Sequence, residues 1–177
     1  MMKKSLLLLS SLILSACSNY QVPESPTFIL SGPWAIMPIE NNSNTPLAAQ
    51  KAEQLVATEL YAKGISTIQY PAVIGQDLRS ILDFGSKQQQ ANQWLTSQPV
   101  EYVITGSVEE WHYKSGLDAE PAVGMTLEVK SARTGEVYWR ASGSRSGWGR
   151  ESVTGTGQIV IEQLLDGLTI AQPSSSD

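Results

Sequence analysis

The stretch Val123–Val137, VGMTLEVKSARTGEV, decides the fold. Val123, Met125, Leu127 and Val129 alternate with Gly124, Thr126, Glu128 and Lys130. A period of two puts the four apolar side chains on one face of a strand and the polar ones on the other. Arg133-Thr134-Gly135 then breaks the alternation, with glycine where a hairpin turn needs positive φ. Val137 to Ser144 starts the return strand. An antiparallel hairpin with one apolar face has to be covered, so helices are expected on that side.

Working outward supplies them. Ser152 to Leu168 reads as a helix, with Val153, Val160, Ile161, Leu164, Leu165 and Leu168 at helical spacing. Upstream, Tyr102, Ile104 and Val108 alternate in a further strand that can run on to Tyr113, with Lys114 to Glu120 as a loop. Lys87 to Gln98 is a polar helix anchored by Trp94 and Leu95. Pro71 to Gly85 is ambiguous, with room for a turn of helix. Ile65 to Tyr70 alternates as a strand. Before it, Thr45 is placed to cap a helix with Pro46 in its first turn, and Gly64 to stop that helix after Lys63. Ala48, Ala52, Leu55, Val56 and Leu60 share its apolar face. Trp34 to Ile39 is the first strand, and Pro38 is expected at an edge or a strand end. The order β-α-β-α-β-β-β-α implies an α/β fold, a mixed β-sheet with helices packed on it in a sandwich.

The ends are read differently. Met1 to Ala16 carries Lys3 and Lys4, then an apolar run from Leu6 to Leu14, which is a secretory signal. Leu14-Ser15-Ala16-Cys17 matches the bacterial lipobox, which implies acylation at Cys17. Ser18 follows, and the usual sorting pattern then favours the outer membrane, with the domain on the periplasmic side. Residues 17–32, with Pro23 and Pro26, read as a lipidated tether, 33–170 as one domain and 171–177 as a disordered tail.

Removing the first 16 of 177 residues leaves 161, enough for a real core. Twelve basic residues less Lys3 and Lys4, against seventeen acidic ones, give a mature charge of −7. An acidic chain is a poor nucleic-acid binder and attracts cationic polymers. Cys17 is the only cysteine, so there is no disulfide framework.

Catalytic patterns are missing. The single histidine, His112, lies between Trp111 and Tyr113 near a strand end, without a second histidine to build a zinc site. No Gly-x-Ser-x-Gly elbow precedes a helix, and no Walker lysine or dinucleotide glycine pattern occurs. Glu109 and Glu110 are adjacent, so on a regular strand they face opposite sides and cannot act as an acid–base pair. No catalytic residue, metal or cofactor is expected. The positive signals point to a binding or assembly module.

Ser144 to Ser152, SRSGWGRES, holds Trp148 between two glycines, with Arg145 and Arg150 outside them. Glycine packs nothing and resists order. Two readings stand. Trp148 folds back to cap the sheet, or it faces outward from a pliant tip, where a membrane interface would suit its amphipathic ring and the two arginines could reach phosphates.

The stretches WAIMPIENNSNTPLAAQKAE, YVITGSVEEWHYKSGLDAEPAVGMTLEV and RTGEVYWRASGSRSGWGRES resemble the PelC family, outer-membrane lipoproteins of Pel exopolysaccharide secretion. The resemblance covers about Trp34 to Leu168. The general pattern is similar to the TolB N-terminal domain and the curli-secretion lipoprotein fold. The resemblance implies a homo-oligomeric ring, a dodecamer, tethered by acyl chains to outer-membrane lipid. Its acidic mouth would face the periplasm and guide a cationic polysaccharide to an outer-membrane export barrel. It makes Asp118 a candidate for the polymer-facing surface and Trp148 for the membrane or ring interface. Glu109, Glu110 and Glu120 fall in the same hairpin as Asp118 and would add to its negative field. Two other functions remain open, a lipoprotein activator docking onto a peptidoglycan synthase and a curli-type secretion pore subunit. A tether of about 50 Å at most is short for the first. The polar helices offer no lipid-facing alternation for the second.

Overall fold

The computed structural model describes residues 18–71, 83–116 and 119–172. The signal segment, Cys17, residues 72–82, Leu117, Asp118 and residues 173–177 lie outside the described residues.

The centre of the fold is a six-stranded mixed sheet. Its strands are β1 (Ser18–Gln21), β3 (Trp34–Asn41), β4 (Thr67–Gln69), β5 (Tyr102–Tyr113), β6 (Pro121–Ser131) and β7 (Val137–Ser146). They lie side by side in the order β1-β7-β6-β5-β3-β4. The hairpin expected around Arg133-Thr134-Gly135 is the antiparallel pair β6–β7, with Leu127 opposite Ala141. β5 is antiparallel to β6, and β3 runs parallel to both β5 and β4. Val123, Leu127 and Val129 are fully buried, as the alternation requires.

Two helices, α1 (Ala48–Ala62) and α3 (Val153–Leu165), cover that apolar face. Their buried sides, Val56 and Leu60 on α1 and Val160, Ile161, Leu164 and Leu165 on α3, close one core with Trp111 and Trp139. The helices run in the same direction, since Glu59 meets Gln158 at 3.2 Å and Lys63 meets Asp166 at 2.7 Å. Their N-termini therefore sit side by side at one end of the sheet. On the other face α2 (Phe84–Leu95) packs on β3, with Ala91 buried against Ala35, Met37 and Val103. Across the rest of that face the polar side of the alternation points outward, through Thr126, Glu128, Ser142 and Ser144.

The segment expected as a tether is part of the fold. Ser18–Gln21 pairs antiparallel with β7, Ser18 opposite Arg145 and Tyr20 opposite Gly143. β2 (Thr27–Ile29) pairs in parallel with β8 (Thr169–Ala171), so the domain also takes in Ala171. Phe28 is buried, edge-on to Trp34 at 5.2 Å and to Tyr102 at 5.1 Å. Trp139 Nε1 donates to the Pro23 carbonyl at 2.8 Å. Pro23 and Pro26 separate two short strands rather than marking a free linker. The observed order is the expected one with β1, β2 and β8 added.

Other boundaries moved for identifiable reasons. Thr45 does not cap α1. Its hydroxyl donates to the Trp111 carbonyl, and Leu47 takes the capping position in the left-handed region at φ 61° without a side-chain cap. Gly64 ends the helix at φ 81°, as expected. α2 starts three residues earlier than expected because the Asp83 carboxylate accepts from the Ser86 N–H at 3.1 Å. Pro38 lies past the end of the short β4 pairing and beside a bulge in β3, which frees the Ile39 N–H to reach Glu53 Oε1 at 3.0 Å. Glu53 is nearly buried. It also accepts from the Tyr70 hydroxyl at 2.7 Å and from Lys87 Nζ at 3.3 Å, tying α1, β3 and α2 together.

Candidate functional site

Four of the sequence-derived site residues, Glu120, Arg145, Trp148 and Arg150, lie at one end of the sheet, where β5 finishes and β6 begins. Tyr113 stands opposite Pro121, and the loop between them is closed by the Lys114 N–H on the Glu120 carbonyl at 2.7 Å. The Gly147 N–H donates to the Pro121 carbonyl at 2.8 Å, so the turn after β7 rises from the same end. Lys114 Nζ donates to Ser146 Oγ at 2.6 Å and lies 4.0 Å from the Glu120 carboxylate. The loop that contains Asp118 and the turn that contains Trp148 are thus neighbours. The position of Asp118 itself lies outside the described residues.

The turn is held by Glu151. Its carboxylate accepts from Arg145 Nη2 at 3.1 and 3.2 Å, from the Trp148 N–H at 3.3 Å and from the Thr156 hydroxyl at 3.4 Å. The Glu151 N–H returns a bond to the Trp148 carbonyl at 2.8 Å. Burial alone would raise the Glu151 pKa, but the Trp148 N–H, Arg145 and Thr156 outweigh it and hold the carboxyl below its ordinary range. Ser152 then caps α3, accepting from the Gly155 N–H at 3.0 Å.

This geometry separates the two readings of Trp148. The side chain is 49% exposed and does not cap its own sheet. The pliant-tip picture is corrected, however. Gly147 is buried, and a Cβ there would come within 2.7 Å of Glu151 Oε2 and 2.8 Å of both Pro121 Cγ and Thr156 Oγ1. The glycine is required by close packing, and the tryptophan is presented from a braced turn. Arg145 is corrected too. Its guanidinium is spent on Glu151, with Nε buried and unpartnered, so it is not free to reach a phosphate. Arg150 is exposed.

The carboxylates of β5 also differ from the regular-strand expectation. The β5–β6 register slips between Val108 and Glu110, so Glu109 is an extra residue in a bulge. Glu109 and Glu110 consequently border the same shallow depression, with Thr126, Ser142 and Ser144 across it. Glu109 is engaged by the Ser107 hydroxyl at 2.5 Å and by Asn42 Nδ2 at 3.3 Å. Glu120 is at the far side of the 114–120 loop, and His112 is exposed opposite Ala122. The structure brings Glu120, Trp148, Arg145 and Arg150 to one end, and sets Glu109 and Glu110 on the neighbouring open face.

Sequence reasoning missed Glu151, because nothing in hydrophobic period marks a glutamate one residue before a helix cap as the brace of the preceding turn. Among the described residues no group of three or more His, Cys, Asp or Glu is arranged to hold a metal ion. None of their helices is long and apolar enough to cross a membrane.

Neither a protein-family model nor a curated protein matches the chain. Solved structures do. The PelC dodecamer from Paraburkholderia phytofirmans is 32% identical, with a TM-score of 0.73, over 88% of this chain and 100% of the other. A methionine-substituted form of the same dodecamer, in a second crystal lattice, is 30% identical, with a TM-score of 0.72, over 89% and 100%. Lipoprotein GNA1162 from Neisseria meningitidis shares the fold at 15% identity and a TM-score of 0.54, over 80% and 96%. At about a third identity over the whole of a solved relative, the chain belongs to the PelC family.

Proposed function

We propose that this protein is a subunit of a homo-oligomeric ring that serves export of the Pel exopolysaccharide. Acyl chains on Cys17 would hold the ring to the periplasmic face of the outer membrane. The observation that carries this reading is the 32% identity to the PelC dodecamer over that chain's full length. The ring passes a cationic amino-sugar polymer toward an outer-membrane export barrel and does no chemistry on it. The mature charge of −7 suits that cargo, and a ring repeats each subunit's carboxylates around its lumen.

The shared end of the 114–120 loop and the Trp148 turn sharpens the reading. If Trp148 meets the membrane, Lys114 and Glu120 lie on the membrane-proximal rim, where the polymer leaves, rather than at the periplasmic mouth. Arg150 is the basic side chain of this turn left free for headgroup phosphates.

Light scattering on the chain from Ser18 onward, free of lipid, should give a mass near twelve subunits. A monomer throughout the micromolar range would sink the ring. Asp118→Asn should lower polymer export while the assembly mass stays the same. Unchanged export would remove Asp118 from the polymer path.

A further inference from the structure

We propose that the end of the sheet opposite the Trp148 turn carries a binding subsite for one amino-sugar unit of the exported polymer, with the Tyr138 ring as stacking platform and the Glu101 carboxylate as contact for the ammonium. This rests on the export reading given above and names where on the subunit the polymer is held.

The subsite is a cleft of about 400 Å³. The loop after β2, the approach to β5 and the β6–β7 turn face one another across it, through Ser31, Pro33, Glu101, Tyr102, Arg133 and Tyr138. Small-molecule sites have volumes of this order. The platform owes its position to a bulge. The β6–β7 register slips so that Lys130 stands opposite Val137 and Val129 opposite Trp139, which leaves Tyr138 as the extra residue. On an unbroken strand Tyr138 would face away from the buried Trp139, and so away from Tyr102, which packs on the same core. The bulge brings its ring to 6.0 Å from that of Tyr102, edge-on at 73°. Tyr102 is itself wedged against Phe28 at 5.1 Å and Trp34 at 5.3 Å. Three inner rings thus fix a fourth that stays 40% exposed. A ring held firmly and left open is a preorganised surface, which loses little freedom when a ligand stacks on it.

The chemistry around the platform suits a sugar. A pyranose presents C–H bonds on one face, which match the negative face of an aromatic ring, and hydroxyls around its edge. The Ser31 hydroxyl donates to Glu101 Oε2 at 2.7 Å and holds that exposed carboxylate on the cleft wall. An ammonium beside a carboxylate and near a π face is attracted by both. Arg133, exposed on the turn, supplies donors for the acetamide carbonyls that a partly de-N-acetylated chain keeps. A peptide finds less here. The N–H groups of Ser31, Ser131, Ala132 and Gly135 are already bonded to backbone carbonyls, so they offer no strand edge for pairing. Tyr102 opens the 12-residue β5, so the cleft lies roughly 35 Å from the 114–120 loop. In the orientation proposed above it opens toward the periplasm, where an arriving polymer meets the subunit first.

The test uses the mature chain from Cys17 onward, expressed without its signal so that it carries no lipid. Calorimetric titration with a short, partly de-N-acetylated glucosamine oligomer is run at one ionic strength, with light scattering on the same samples. Tyr138→Ala changes no charge, yet it should weaken binding about fivefold to tenfold, while Tyr138→Phe keeps the wild-type affinity. Glu101→Gln should weaken binding about threefold or more for this oligomer and leave a fully N-acetylated one unaffected. Where Tyr138→Ala fails to fold, Glu101→Gln decides. Equal affinity in the wild type, Tyr138→Ala and Glu101→Gln overturns the subsite and leaves the ring and its export role standing. No binding to an assembled ring does the same. A monomer that binds the oligomer through Tyr138 keeps the subsite and sinks the ring.

Discussion

Gly147 and Glu151 show how single residues set the presentation of Trp148. Gly147→Ala has no free space, because two of the atoms it would strike are the Glu151 carboxylate and Pro121. It should cost about 1–3 kcal/mol, as overpacking does, read as a lower denaturant midpoint. Gly157→Ala on α3 meets Trp111 Cη2 at 2.2 Å, within the core, and should cost as much. Glu151 supplies a pH signature. Its folded pKa is lowered, so its stabilisation is complete above the ordinary glutamate range and fades as pH falls below it. The protection of the amides of residues 147–152, relative to their intrinsic exchange rates, should therefore fall as pH drops below the ordinary glutamate range. In Glu151→Gln that protection should be low already at neutral pH, with no added acid dependence.

At the level of elements, the short strands divide what was legible from what was not. β5, β6 and β7 are ten to twelve residues long and one-sided, so their period is visible in the chain alone. β1, β2 and β8 have three or four residues each, too few for a period to emerge, and prolines between them mimic a linker. Burial of Phe28 comes from long-range contact with Trp34 and Tyr102, which local pattern does not encode. Phe28→Ala should cost about 3–5 kcal/mol in denaturant unfolding; a tether residue would cost nothing. Thr45 has the right chemistry for a helix cap, but a distant carbonyl captured it. The Glu109 bulge likewise hides inside an unbroken strand sequence. At the candidate site, the outward exposure of Trp148 could be anticipated, but the shared end of the 114–120 loop and the turn after β7 could not, because it follows from strand directions in the folded sheet. The engagement of Arg145 by Glu151 could not, because it depends on the turn geometry. Glu53 makes a similar long-range tie. Glu53→Gln removes the partner of the largely buried Lys87 ammonium and should cost about 3 kcal/mol, measured by thermal unfolding.

For the whole molecule, the proposed ring turns a modest charge per subunit into a collective field. Attraction of a partly de-N-acetylated glucosamine oligomer should weaken steeply between about 0.05 and 0.5 M salt, as screening shortens the reach of that field. The assembly mass should hold over the same range if apolar contacts build the ring. Calorimetric titration at several ionic strengths, paired with light scattering, checks both. Affinity indifferent to salt would count against electrostatic guidance.

The antiparallel registry of β1 on β7 also has a mechanical meaning. Under the proposed acylation of Cys17, any force driving the domain away from the bilayer would pull β1 along its own axis. Its hydrogen bonds to β7 then share the load in shear, instead of parting one after another as a peeled strand would. Tyr20, seated over Gly143, resists the same slide. Such an attachment would be a stiff strut, suited to the proposed conduit through which a long chain is hauled.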